Sequence, residues 1–193
     1  MVTKSMKIGA AVLGGVLVVG AGFVVGRQLI DSPKKSNLVE FRDRKAGWAI
    51  SYPKTWNRLT SQDAAVALVV SEQPPATNSG GSILARDLTL GAPVTDANLA
   101  AAKEITSKIV LGGEGVQLLT QDQPAVVHQG GLPGYFYFYS FKDPATGQEG
   151  VHTHYFLFKG STMISFVFQA LPKDNFQGLA HLFDQVIGSF RVP

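Results

Sequence analysis

Tyr135-Phe136-Tyr137-Phe138-Tyr139-Ser140-Phe141 is the stretch that decides the fold of this chain. Its tyrosines fall on one face and its phenylalanines Phe136 and Phe138 on the other, the two-residue period of a β-strand. Two further runs, His152 to Phe158 and Thr162 to Gln169, share its aromatic and β-branched character. Asp143-Pro144-Ala145-Thr146-Gly147 and Lys159-Gly160 separate the three, and both separators are turn chemistry. The three runs predict an antiparallel meander. Apolar side chains stand on both of its faces, so each face needs a cover.

Working outward, period two recurs at Leu38 to Arg42, Gly47 to Tyr52, Val66 to Ser71, Ile83 to Leu90 and Gln117 to Thr120, each a strand candidate. Two helices supply the covers. One is alanine-rich, starts at Thr95 or Asp96 and runs to about Val110, where Gly112-Gly113 stops it. The other carries Phe176, Leu179, Ala180, Phe183, Val186, Ile187 and Phe190 at helical spacing between Pro172 and the region of Gly188. Residues 73–81 show neither period and read as a mobile loop. The expected fold class is α+β, an antiparallel β-sheet with helices on both faces (an α/β/α sandwich), preceded by one N-terminal transmembrane helix.

That helix is read from Ile8 to Gly26, a run with no charged side chain, flanked by Lys4, Lys7 and Arg27. At ~1.5 Å per residue it would rise roughly 28 Å, close to the ~30 Å hydrocarbon core of a bilayer. The division expected is a short tail over 1–7, an anchor over 8–26, a linker over 27–37 and a globular domain over 38–193. A secreted form cleaved near Ala21 is the alternative. The chain has no cysteine, which excludes a lipidated cysteine, a disulfide and a thiolate nucleophile. Ala10, Gly14, Val18, Gly22 and Gly26 share a four-residue spacing that permits close helix approach, although homodimerisation through the anchor is not the favoured reading. Basic residues flank the run on both sides. An extracytoplasmic domain is expected, with a cytoplasm-facing adaptor as the alternative. After Asn37 the chain holds 12 basic and 13 acidic residues, so the basic excess belongs to the N-terminal segment. A neutral domain offers no footprint for nucleic acid.

Gly47-Trp48-Ala49-Ile50-Ser51-Tyr52-Pro53-Lys54-Thr55-Trp56 resembles the opening strand of PsbP-like domains, and Ser189-Phe190-Arg191 resembles their closing tail. The resemblance covers residue 38 to the end and suggests a bacterial, membrane-anchored member. It implies an antiparallel sheet with helices on both faces, and a binding or assembly role, since known relatives include an extrinsic photosystem II subunit, a Ran-binding factor and cell-envelope lipoproteins. The fold motif is carried by Gly47, Trp48, Tyr52, Pro53 and Trp56. Pro53 cannot donate to a ladder and ends its strand, while Trp48 and Trp56 offer large surfaces to a core.

Among residues that could carry chemistry, His152 and His154 stand out, because alternation puts both imidazoles on one strand face at a spacing that can chelate a metal. Closure would need Glu149, His128 or His181. Tyr135, Tyr137 and Tyr139 form a second candidate, either an interaction surface or core. Gly112-Gly113-Glu114-Gly115 lacks the Lys-Ser/Thr of a phosphate loop, and neither a nucleophile elbow nor a zinc helix is present. No cofactor and no catalysis are expected. The function expected is a membrane-anchored module that binds a protein or small ligand, with a metal-binding or enzymatic domain on His152 and His154 as the alternative.

Overall fold

A computed structural model describes residues 37–74 and 79–193. The tail, the anchor, all but the last residue of the linker, the cleavage alternative and the helix-mediated dimer all lie outside them. Among the described residues no helix is long and apolar enough to cross a membrane.

The strands are β1 (Leu38–Asp43), β2 (Trp48–Pro53), β3 (Asn57–Leu59), β4 (Val66–Ser71), β5 (Gly80–Val94), β6 (Gln117–Leu118), β7 (Ala125–Gln129), β8 (Leu132–Lys142) and β9 (Glu149–Leu171). The helices are α1 (Leu99–Leu111), between β5 and β6, and α2 (Phe176–Gly188), after β9. The main sheet has the order β3-β4-β5-β9-β8-β6, with β7 also on β8, and its ladders are antiparallel. The mixed α+β class expected from the sequence is therefore observed.

β9 is the hinge of this arrangement. Residues 149–157 pair with β8, while residues 162–171 pair with β5. His152 and Gln169 are 17 residues apart, which in a straight strand would separate them by ~56 Å. Their side chains instead meet at 3.0 Å. β9 therefore folds back on itself at Gly160, whose φ of 57° suits a tight turn without a Cβ penalty. This is the Lys159-Gly160 turn expected from the sequence.

Alternation then sorts the core into two faces. Tyr135, Tyr137, Tyr139, Phe156, Phe158 and Met163 form one cluster with Leu99, Ala102 and Val110 of α1. On the other face Phe168 and Trp56 meet Phe183 of α2 at ring distances of 5.4 and 6.4 Å. The stripe expected on α2 holds, since Leu179, Phe183, Val186 and Ile187 are all buried. α1 starts after a turn in which the Asn98 carboxamide accepts the Thr95 N–H at 2.7 Å, and ends at Gly112.

β1 and β2 make a separate two-stranded unit. Fully buried Trp48 lies edge-on to Phe166 at 5.2 Å and donates its indole N–H to Asp87 at 2.9 Å. At ~25 cal/mol per Å², burying an indole contributes roughly 5 kcal/mol at most. Pro53 is the last residue of β2, as expected. Ala49 exchanges both backbone hydrogen bonds with Arg191, tying the opening of the domain to its end.

Several boundaries differ from expectation. Asn57–Leu59 and Ala125–Gln129 are strands that the sequence reading passed over. Gly80 and Gly81, expected in a loop, belong to β5, and the strand expected over Gln117 to Thr120 is only two residues long.

Candidate functional site

Register builds the candidate site. Tyr137 stands opposite His154 and Tyr139 opposite His152 across the β8–β9 ladder, so the tyrosines and histidines share the face that carries α1. The fold-back at Gly160 brings Ser165 and Gln169 beside them. His152 stacks on Phe141 at 4.0 Å, and His154 on Phe156 at 3.9 Å.

Four hydrogen bonds join these groups into one row. A carboxamide oxygen only accepts, so His152 Nε2–H donates to Gln169 Oε1 at 3.0 Å and His152 Nδ1 must accept. Its donor is the Tyr139 hydroxyl at 3.1 Å. That hydroxyl has spent its proton, so it accepts from His154 Nδ1–H, also at 3.1 Å. His154 Nε2 then accepts from Ser165 Oγ–H at 2.7 Å. The row Ser165, His154, Tyr139, His152, Gln169 thus has one proton per bond and two neutral imidazoles. Burial holds His152 down to about 4, the Gln169 contact working the other way. Burial also drives His154 well below the usual histidine range, with His152 and Arg86 adding to it. The Tyr139 phenol is pushed up by its burial.

A serine hydroxyl 2.7 Å from an imidazole is the contact on which acyl-transfer sites are built. Here Ser165 and His154 are 5% and 4% exposed, so a substrate has no access to the hydroxyl, and burial disfavours the imidazolium that would form on proton transfer. The row instead satisfies polar groups inside an aromatic layer and fixes the strand register.

His152 and His154, for which a chelate was the alternative reading, have all four ring nitrogens engaged in this row. The residues that might have closed a metal site are elsewhere: Glu149 binds Lys173, His128 binds Asp96 and His181 meets Gln185. Among the described residues no three His, Cys, Asp or Glu side chains gather.

Of the two readings of Tyr135, Tyr137 and Tyr139, burial selects the core and removes the interaction surface, because they are 4%, 1% and 6% exposed. Their hydroxyls face inward. Tyr135 donates to the Leu99 carbonyl at 3.1 Å, and Tyr137 lies 2.7 and 2.9 Å from the Thr106 and Ser107 hydroxyls. The phenols therefore hold α1 on the sheet. Ser165 and Gln169 were missed in the sequence, although a two-residue turn at Gly160-Ser161 would have placed Gln169 across from His152.

No protein-family model and no curated protein matches the chain. Solved structures do. The solution structure of the cyanobacterial PsbP (CyanoP) of Synechocystis is 16% identical, covering 91% of this chain and 99% of its own at a TM-score of 0.57. LpqN, involved in cell envelope biogenesis of Mycobacterium tuberculosis, is 15% identical over 81% of this chain and 91% of its own, at 0.59. The Saccharomyces cerevisiae Ran-binding protein Mog1p is 14% identical over 81% and 95%, at 0.54. The resemblance carried by Gly47 to Trp56 therefore holds at the level of the fold, which is PsbP-like.

Proposed function

We propose that this protein is a non-catalytic binding or assembly module, held at the membrane by residues 8–26 with its domain on the extracytoplasmic side. One observation carries the reading. Of the seven large apolar residues exposed among the described residues, six fall between positions 105 and 126: Ile105, Ile109, Leu111, Leu118, Leu119 and Val126, each 40–56% exposed. They lie on α1, on β6 and the residue after it, and on β7, while the polar chemistry of the sheet is turned inward. α1, β6 and β7 all adjoin β8, so these side chains gather around one strand, and exposed apolar side chains gathered in space suit a protein-docking surface. A Ran-binding protein and a cell-envelope protein among the structures of the same fold support such a role.

The test is in-cell crosslinking of the full chain, comparing wild type with Ile105→Glu/Ile109→Glu. Both positions are solvent-exposed, so the variant should keep its melting temperature within a few degrees and lose its crosslinked species. An unchanged crosslinking pattern would remove α1 from the interface. Protease added to spheroplasts of the same cells should digest the domain; protection until lysis would put it in the cytoplasm.

A further inference from the structure

Neutral as a whole, the domain is uneven in where its charges lie, and its cations gather on the β1–β2 hairpin. Arg42 in β1 and Arg191 in the closing tail both bind the Glu40 carboxylate, so that cluster keeps one positive charge in excess. The two arginine side chains are 60% and 46% exposed and have N–H donors to spare. Arg58 stands over the Phe41 ring at 5.0 Å. Arg44 and Lys45 are exposed in the turn, where Lys159 Nζ donates to the Ala46 and Gly47 carbonyls at 2.7 and 2.9 Å. Lys54 is exposed at the other end of the hairpin, its N–H donating to the Asn37 carbonyl at 2.8 Å. Seven cations thus meet three carboxylates here. Two of the three are engaged inward, Asp43 on the turn amides and Asp87 on the Trp48 indole. The rest of the domain from residue 38 holds five cations against ten carboxylates.

The cationic end is also where the chain enters. β1 follows directly on residues 27–37, which hold Arg27, Lys34 and Lys35 against Asp31. Eleven residues span at most about 40 Å, so an anchor over residues 8–26 keeps the start of the hairpin within that distance of its bilayer.

We propose that the β1–β2 hairpin is a membrane-facing surface, whose arginines and lysines lie on the anionic phospholipid headgroups of the bilayer that holds residues 8–26. This rests on the anchoring proposed above and names the face that the domain turns to that bilayer. Repulsion of the acidic remainder by an anionic surface reinforces the orientation. The attraction fades beyond a Debye length of about 8 Å at physiological salt, so the contact is reversible and salt-sensitive. Trp48 packs the hairpin on Phe166, whereas α1 covers the opposite face of the sheet, the one to which Ser165 belongs. With the hairpin down, Ile105 and Ile109 of α1 point away from the bilayer and stay open to a partner.

The chain has no cysteine, so a single dye can be placed where it is wanted. The full chain is reconstituted into nanodiscs with acceptor dye on the headgroups, made of phosphatidylcholine alone or mixed with phosphatidylglycerol. A donor dye is carried by Thr55→Cys, exposed beside Lys54, or by Ala101→Cys, exposed on α1. Energy transfer from position 55 should be about twofold higher in the anionic discs at low salt and return to the neutral-disc value at high salt, while position 101 shows no gain. Arg44→Glu/Lys54→Glu, both exposed positions, should abolish the gain at an unchanged melting temperature. Equal transfer in the two kinds of disc, or a gain that survives the charge reversal, overturns the proposal and leaves the anchor standing. A chain that does not enter the discs removes the anchor and the proposal with it. If the charge reversal instead abolishes a crosslinked protein in cells and leaves transfer unchanged, the face belongs to an acidic protein and the membrane reading is overturned. Should the reversed variant not fold, the lipid and salt dependence of the wild type decides alone.

Discussion

Gly134 has no room for a side chain: a Cβ there would stand 2.2 Å from the carbonyl oxygen of Phe156 on the neighbouring strand. Backbone atoms cannot be pushed aside as the end of a lysine can, so the ladder itself would have to open. Gly134→Ala should therefore lower stability by about 3 kcal/mol, read as the shift in the urea midpoint at unchanged m. Gly81 is small for a related reason, since a Cβ would come within 2.6 Å of the Trp56 ring. That is why the sequence reading lost it to a loop. Glycine carries no strand preference, and only the tertiary partner shows why the strand tolerates it. His152 and His154 were legible as a pair on one face, but their partners Tyr139, Ser165 and Gln169 arrive from other strands or across a turn, where local periodicity gives no information.

At the scale of elements, long apolar strands and both helices were readable because each carries its own period. β3 and β7 were not. Asn57–Leu59 is too short to show alternation, and in Ala125–Gln129 only Val127 is buried. Both strands owe their pairing to a stronger neighbour, β4 and β8 respectively. α1 depends on its neighbour in another way. Its inward face offers only Leu99, Ala102, Thr106 and Val110, modest apolar surface for 13 residues, and the phenols of β8 add hydrogen bonds at Leu99, Thr106 and Ser107. Replacing Tyr135 and Tyr137 with phenylalanine should cost about 1 kcal/mol each. Amide exchange in α1 should quicken while that in α2 does not, which distinguishes loosened docking from a general loss of stability.

Across the whole molecule the two buried histidines and Asp87 pull in opposite directions as pH changes. His152 has a folded-state value lowered to about 4, so its neutral form is favoured by folding. Its contribution is complete above the ordinary 6.5 and is lost as pH falls through the interval down to about 4. Asp87, raised by burial to about 6, gains over much of the same interval. His154, lowered by burial as well, loses stability in the same direction as His152, so wild-type stability should fall as pH drops from about 6.5 to 4.5. His152→Gln removes one of the two histidine losses and should make the fall in stability toward acid shallower than in the wild type. Denaturant unfolding at several pH values checks this; parallel curves for the two proteins would show that His152 is not neutral in the fold.

The position of the hairpin also has a mechanical meaning. The domain begins at the Leu38 end of β1, and that end pairs with Pro53, far from the turn. A pull away from the sheet, arriving along the chain from residue 37, therefore meets the ladder one pair at a time, from Leu38 toward Asp43. Such peeling offers little resistance at each step. The first firm stop is the turn, where Asp43 caps the Lys45 and Ala46 amides, Lys159 holds the Ala46 and Gly47 carbonyls, and Asp87 accepts the Trp48 indole N–H. Load would be taken up by extending β1, with the sheet behind it left intact.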